Sequence, residues 1–407
     1  MSLALVILTA LAIALGPAMP AAALPASCER ETGLAARSDV VFCEPWEDSQ
    51  WWRNGYVGNP RLLDPAPATP GNVQRTALET EGCVSGKCLR VNMLKGQTGA
   101  LSLHWPLKNA GLAPEQLHMR YYIKLGPTWD PNMCDDKGAI VGHGGKFRGP
   151  ADTRVEGDPA APGGQCGNGG ERGDGINCWS HRAEFRACGR HGGFAKGVCS
   201  TKPGAAMRFG GYLYYYGQEG GTGSAAPWDS DYWGQFDTGG GTCETNPRNL
   251  FCSVPRAKRG VSGNERTGLG MNAGVFVREV WYAVETFVKM NTPGVADGIV
   301  RGWVDGQLAY EKTNMVFRLP GHKNLHVRTA WLDVYKGGTQ GNCRDMSIWL
   351  DQMVLATDGP IAPLPKAKGQ AAPAPAPARV PGAGAQLSGP GPVARSLLSL
   401  LDSARHP

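Results

Sequence analysis

Short segments in which apolar and polar positions alternate run along most of the chain, and Gly, Pro, Asn or Asp separate them. The clearest lie at 40–44, 88–93, 100–105, 117–125, 139–147, 274–290, 299–304, 307–310, 325–335 and 346–356. Asp305-Gly306 between two of them is a strong hairpin signal. Residues 28–358 contain no helical period of any length. This pattern predicts an all-β, antiparallel β-sandwich or jelly roll.

Two long segments interrupt the predicted strands. Residues 149–177 and 217–270 are polar and rich in glycine and cysteine, and they show no periodicity. The second segment contains Trp228, Tyr232 and Trp233. Loops of this length inside a domain are uncommon unless they are functional.

The two ends of the chain differ from the middle. Residues 1–26 combine an apolar run with a small-residue stretch, which is typical of a secretory signal peptide. Residues 27–362 form the predicted β domain, and 363–407 are a Pro-, Ala- and Gly-rich tail with one short amphipathic segment at 393–404. No later apolar run reaches about 18 residues, so we expect a secreted protein that is not inserted in a membrane.

The composition of the chain supports export and argues against zinc and nucleic acid as partners. The chain has 407 residues with 58 glycines, 12 cysteines and a formal charge of +6. An even number of cysteines in an exported chain favours disulfides, with 83–88, 188–199 and 243–252 as plausible short-range pairs. The sequence has no Cys-x-x-Cys pair, so we do not expect a zinc site. It also has no run of basic residues, so we do not expect a nucleic-acid partner. We expect a monomer.

Three polar clusters stand out inside the strand pattern, at 144–148, 180–186 and 212–216. Read as strands, they place alternate side chains on one face. Ser180, Arg182 and Glu184 then share a face, as do Tyr212, Tyr214 and Tyr216, and also Lys146 and Arg148. So many charges and phenols predict the floor of a groove that binds an acidic polysaccharide.

These clusters resemble polysaccharide lyase family 14, which includes alginate lyases. The resemblance lies in Gly-Gly-Lys146, Ser180-x-Arg182 and Tyr212-x-Tyr214, and it continues in order through 291–294, 297–298, 303–306 and 337–338. It implies a concanavalin A-like jelly roll that eliminates across uronic-acid linkages. It also implies that Lys146, Arg182, Tyr212 and Tyr214 are catalytic, with Ser180 in the same site.

The chemistry of elimination fits these residue types. Removing the C5 proton of a uronate requires that the adjacent carboxylate be neutralised, which a guanidinium or an ammonium can do. Nearby cations favour a phenolate, so a tyrosine can act as base or acid. No cofactor is required. We expect the following residues to bind substrate: Ser180, Arg148, Glu184, Tyr216 and His143.

Other interpretations stay open. Alternate tyrosines often reflect sheet packing, and His143 and His181 are more often structural than catalytic. A lectin on the same fold or a glycoside hydrolase is the alternative function, although hydrolysis normally needs two carboxylates and the central stretch offers mainly Glu184. Glu44 and Asp351 could hold a structural calcium, but two acids are too few to assign a site.

Overall fold

The structure is a computed structural model. It describes residues 33–58, 75–152, 173–186, 207–216, 275–335 and 341–361, apart from residues 35, 131, 135, 138, 139, 144, 174, 177 and 277. In strands β8 and β9 and in parts of β7, β10, β11, β12 and β15 (bounds below), the description covers the backbone alone.

Strands make up nearly all of the regular structure in these ranges. In chain order they are β1 (Val40–Glu44), β2 (Val57–Gly58), β3 (Thr76–Glu79), β4 (Cys88–Met93), β5 (Gly99–Pro106), β6 (Gln116–Leu125), β7 (Asn132–Cys134), β8 (Ile140–His143), β9 (Gly145–Asp152), β10 (Trp179–Arg186), β11 (Met207–Tyr214), β12 (Val275–Phe276), β13 (Trp281–Lys289), β14 (Gly298–Val304), β15 (Gln307–Met315), β16 (Thr329–Tyr335), β17 (Gly341–Asn342) and β18 (Met346–Ala356). Two 3-10 turns, Trp51–Arg53 and Leu107–Ala110, are the helical elements of the described part.

The strands form two large sheets. The first sheet has the order β15-β14-β13-β6-β18-β4-β3, with β1 paired to β18, and the second has the order β12-β11-β10-β9-β16-β5-β2. A small third sheet joins β17, β7 and β8. All strand pairs described within these sheets are antiparallel. The prediction of an all-β antiparallel sandwich is therefore confirmed.

One hydrophobic core lies between the two large sheets. Leu117, Met119 and Ile123 come from the first sheet, and Leu213 and Tyr215 come from the second. Each of these side chains is at most 1% exposed. They are separated by two or four residues, in keeping with the strand period of two, so the residues next to them in sequence lie on the opposite face of each sheet.

Turn chemistry and one disulfide agree with the sequence. Asp305 and Gly306 connect β14 to β15 and both have positive φ, 50° and 76°, as a two-residue hairpin turn of the primed type requires. Cys83 and Cys88 are bonded as expected. The pairs 188–199 and 243–252 lie outside the described residues.

A second disulfide was not predicted. Cys134 is bonded to Cys343 across a sequence separation of 209 residues. It lies where β17 pairs with β7, so it closes the small sheet covalently. Cys43 and Cys178 are disulfide-bonded as well, and the described part of the chain contains no free cysteine.

Several strand bounds differ from the prediction. The segment predicted as one strand at 139–147 divides into β8 and β9, and β9 continues to Asp152, inside the segment predicted as a loop. The 274–290 segment divides into β12 and β13. The strand predicted at 325–335 is β16, and it begins at Thr329.

Residues 1–369 and 370–407 separate into two units, and all described elements belong to the first. The predicted signal peptide, the second long loop and the tail lie outside the described residues. Across the part that the structure describes, no helix has the length and apolar character needed to cross a membrane.

Candidate active site

Neighbouring strands bring the predicted clusters together on the second sheet. Arg182 of β10 pairs with Tyr212 of β11 on one side and with Arg148 of β9 on the other. Glu184 pairs with Lys146, and Ser180 pairs with Tyr214. Directly opposite residues share a face of the sheet. All seven positions therefore lie on the face that points away from the core.

A bulge interrupts the pairing at the centre of this face. Ser180 and Arg182 are two residues apart on β10, but their partners on β9, Ala151 and Arg148, are three apart. The extra length contains Gly149-Pro150, and β16 also changes register opposite this point. Bulges redirect side chains and are frequent beside functional sites.

Arg182 contacts two tyrosines from different strands. Its Nη1 donates a hydrogen bond to the hydroxyl oxygen of Tyr335 at 3.3 Å. Its Cζ lies 4.4 Å from the ring centre of Tyr214, which is a cation–π contact. The guanidinium is thus held between a phenol oxygen and an aromatic face.

Ser180 has a buried hydroxyl beside this pair. Its side chain is fully buried, and its Oγ has no hydrogen-bond partner among the described residues. A buried polar atom without a partner is costly. A hydroxyl or carboxylate of a ligand would satisfy it.

The described side chains of this face are more buried than an open groove would have them. Arg182 is 2% exposed, and Ser180 and Tyr214 are fully buried. Tyr214 is nevertheless not packed between the sheets, because its neighbours Leu213 and Tyr215 occupy the core. Tyr335 is half-buried and is therefore the member of this group that solvent reaches.

Strand β16 adds polar and aromatic residues that sequence reasoning missed. Trp331 and Asp333 alternate with the core residues Leu332 and Val334, so they lie on the same face as Tyr335. Trp331 is stacked on His104 of β5, with ring centres 5.0 Å apart. The alternation of aromatic and acidic residues at 331, 333 and 335 was the available signal.

His181 lies on the other face of β10. It pairs with the core residue Leu213 and is 1% exposed. Burial lowers its pKa to about 3, because the charged imidazolium loses its hydration. His181 is thus neutral at ordinary pH and is not part of the polar face.

Some predicted site residues are located by backbone alone. The side chains of Lys146, Arg148, Glu184, Tyr212 and His143 lie outside the described residues, although the strands that carry them are described.

Tyr216 does not continue the row of tyrosines in β11, because β11 ends at Tyr214. Gly175 has φ +78° and lies against the Tyr216 ring, since a Cβ at Gly175 would be 3.0 Å from the ring's Cγ. The expectation that Tyr212, Tyr214 and Tyr216 share one strand face is therefore wrong for Tyr216.

The two acids considered for calcium each have separate partners. Glu44 accepts hydrogen bonds from the Trp46 amide at 2.9 Å and from Asn54 at 3.1 Å. Asp351 accepts from the amides of Val84 and Ser85. Burial raises the pKa of each acid to about 7.

The only metal-ligand group found in the described ranges is Cys83, Cys88 and Asp351. Its two cysteines are joined in a disulfide, so they offer no thiolate. Calcium requires six to eight oxygen ligands.

No protein-family model and no curated protein matches the chain. Several solved structures do. The alginate lyase Aly36B is 16% identical with a TM-score of 0.40, and the match covers 70% of this chain and 83% of that chain. The marine PL-14 alginate lyase from Aplysia kurodai is 15% identical with a TM-score of 0.40, covering 70% and 88%. An endo-β-1,4-glucuronan lyase from the fungus Trichoderma reesei is 10% identical with a TM-score of 0.32, covering 70% and 87%. These values are too low to assign a reaction to this chain.

Proposed function

We propose that the protein is a secreted polysaccharide lyase that cleaves a polyuronate by β-elimination. The observation that carries this proposal is the position of Arg182, whose guanidinium contacts the hydroxyl of Tyr335 at 3.3 Å and the ring of Tyr214 at 4.4 Å. A fixed cation can neutralise the carboxylate of a uronate, and a phenol next to it can act as acid or base in the elimination. The motifs shared with polysaccharide lyase family 14 support the same reaction.

The cation makes the C5 proton removable. Deprotonation at C5 places negative charge next to a carboxylate that is already negative. A guanidinium binds a carboxylate through two parallel hydrogen bonds, and these interactions strengthen as charge develops. Arg182 performs this role, and Lys146, on a neighbouring strand of the same face, adds a second positive charge.

Phenols complete the reaction. One tyrosine takes the C5 proton and another protonates the leaving glycosidic oxygen. Tyr212 and Tyr214 occupy this face with Arg182. Ser180 offers its buried hydroxyl to the sugar. Arg148 and Glu184 of the same face also bind substrate in this proposal, and Tyr216, just beyond β11, and His143, on β8 of the small sheet, would bind it from outside this face. No step of this scheme uses a metal or a cofactor.

The test is incubation of the purified protein with a panel of polyuronates, including alginate and glucuronan. Elimination creates a carbon–carbon double bond conjugated to the carboxylate, so ultraviolet absorbance should rise with time. Mass spectrometry should find fragments whose masses sum to the substrate mass without added water. A protein that binds the polymers but leaves both signals unchanged would be a lectin.

A glycoside hydrolase is the second candidate. Asp333 lies on the same sheet face as the Glu184 position, so the face carries two acids where the sequence had indicated one. Two carboxylates are the usual machinery of glycoside hydrolysis. Hydrolysis would add one water per cleaved bond and create no ultraviolet absorbance, so the same experiment separates the two reactions.

A further inference from the structure

We propose that Tyr335 is the catalytic base that removes the C5 proton. This inference rests on the proposed lyase function and assigns one of its steps. Tyr335 comes from β16, outside the residues that sequence reasoning selected for the site. Three observations carry the assignment: its distance from Arg182, its exposure and its position beside Lys146.

The distance to Arg182 places the Tyr335 hydroxyl where a base must be. In a uronate the carboxylate carbon is bonded directly to C5. The base that removes the C5 proton must therefore be a close neighbour of the cation that neutralises the carboxylate. The hydroxyl oxygen of Tyr335 lies 3.3 Å from Nη1 of Arg182, so both groups reach adjacent atoms of the same uronate.

Exposure distinguishes Tyr335 from Tyr214. Tyr214 is fully buried and offers its ring face to the guanidinium. Tyr335 is half-buried, and its hydroxyl is already aimed at Arg182. Of the two tyrosines that contact Arg182, Tyr335 is therefore the more accessible to a bound polymer. With Tyr335 as base, Tyr214 supports the guanidinium through its ring, and the acid role falls to another phenol or to water.

Electrostatics favour the basic form of Tyr335. Arg182 donates its hydrogen bond to the phenol oxygen, and a donor with a positive charge stabilises the phenolate. The backbone register also pairs Tyr335 directly with Lys146 of β9. Two positions that carry cations therefore adjoin Tyr335, one on β10 and one on β9.

The step balances without an external reagent. The Tyr335 phenolate forms an O–H bond with the C5 proton as the C5–H bond breaks. The C5–H electron pair becomes the C4=C5 double bond, and the C4–O bond breaks. The leaving oxygen takes a proton from a phenol hydroxyl or from water. Tyr335 then returns its proton to solvent.

Tyr335→Phe tests the assignment because it keeps the ring and removes only the hydroxyl. We expect kcat on a responsive polyuronate to fall on the order of 10²–10⁴-fold, the usual worth of a general base. KM and the melting temperature should change little. Tyr122→Phe is the matched control, since Tyr122 also lies next to a buried arginine, Arg120, but on the first sheet. Its kcat should equal that of the wild type.

Tyr335→His separates a base from a positioning residue. Imidazole titrates near pH 6.5 and phenol near pH 10, so a histidine base should restore part of the activity and move the rising limb of the kcat–pH profile to lower pH. A residue that only holds Arg182 would give no such shift. Wild-type kcat in Tyr335→Phe, or a loss with an unchanged pH profile in Tyr335→His, overturns the proposal. A wild-type protein that produces no unsaturated uronate from any polymer overturns the proposed function itself.

Discussion

Two deeply buried arginines lie on the outward faces of opposite sheets. Arg120 of the first sheet is fully buried and Arg182 of the second is 2% exposed. Both stack on a tyrosine ring, with Cζ 5.1 Å from the ring centre of Tyr122 for Arg120 and 4.4 Å from that of Tyr214 for Arg182. They differ in the group to which each donates a hydrogen bond.

Arg120 donates to the backbone carbonyl of Gln352 at 3.1 Å. Gln352 has φ +47° and lies where β18 changes register against β6. Arg120 therefore holds a bulge in place. Arg182 donates instead to the side-chain hydroxyl of half-buried Tyr335. Burial and ring stacking are therefore common to both arginines, and the feature that separates Arg182 is a hydrogen-bond partner with its own acid–base chemistry.

Of the changes that test the contrast between the two arginines, Arg182→Lys should have the largest effect on activity. The charge stays, but the bidentate fork that binds a carboxylate is lost, and the contact with Tyr335 changes. We expect kcat to fall on the order of 10²–10³-fold, as for removal of one donor that stabilises developing charge. The measurement is kcat, from the rise of ultraviolet absorbance on the polyuronate that the wild-type protein cleaves.

Arg120→Lys is the control for that measurement, and its kcat should stay at the wild-type value. Equal losses of kcat in the two variants would show that the two arginines do not differ in role, and the contrast between the sheets would fail.

His181, on the core face of the same strand as Arg182, should have a pH-dependent effect on stability. Its pKa in the folded protein is about 3, and the unfolded value is about 6.5. Below about pH 6.5 the unfolded chain binds a proton that the folded chain does not. Its contribution to stability is thus complete above about pH 6.5 and is lost as pH falls toward 3, by about 3 kcal/mol between pH 7 and 4.

Urea unfolding of wild type and His181→Gln at both pH values isolates this contribution. Glu44 and Asp351 act with the opposite sign, because their raised pKa values make stability fall as pH rises from about 4 toward 7. Because both proteins contain Glu44 and Asp351, the contribution of these acids cancels when the free energies of unfolding of the two proteins are subtracted. Parallel pH dependence in both proteins would show that His181 is not the buried neutral group described above.

Arg120→Lys should lower stability by about 1–3 kcal/mol, the usual result when a buried hydrogen-bonded group is changed. The lysine retains one donor for the Gln352 carbonyl but loses the planar stack on Tyr122. Urea unfolding measures the change. A variant as stable as the wild type would mean that the bulge in β18 does not depend on Arg120.

The strand pattern could be predicted because alternation and turn residues are local. The bounds of β4 and β18 agree with the alternating segments, and the Asp305-Gly306 turn has the expected backbone. The face shared by Ser180 and Arg182 also followed from a period of two. Those features need no knowledge of the rest of the chain.

Long-range pairing could not be predicted. Tyr335 is 153 residues from Arg182 in sequence and becomes its neighbour only because β16 pairs with β9. Cys134 and Cys343 meet for the same kind of reason. The end of β11 at Tyr214 removed Tyr216 from the row, since alternation alone does not show where a strand stops.

Tyr214→Phe should have the smallest effect on kcat, and it tests whether Arg182 depends on the ring or on the hydroxyl of Tyr214. If the role of Tyr214 is to support the Arg182 guanidinium through its ring, the hydroxyl is dispensable and kcat should fall less than about tenfold, well short of the 10²–10⁴ expected for an acid or base. Tyr214→Leu removes the ring itself, and an aromatic face under a desolvated cation contributes about 2 kcal/mol. The leucine variant should therefore lose more activity than the phenylalanine variant, with Tyr122→Leu on the first sheet as the control that leaves kcat unchanged. Melting curves for all of these variants separate loss of fold from loss of rate. A Tyr214→Phe protein as impaired as Tyr335→Phe would make Tyr214 the proton donor to the leaving oxygen, and the division between a supporting ring and a reacting hydroxyl would be wrong.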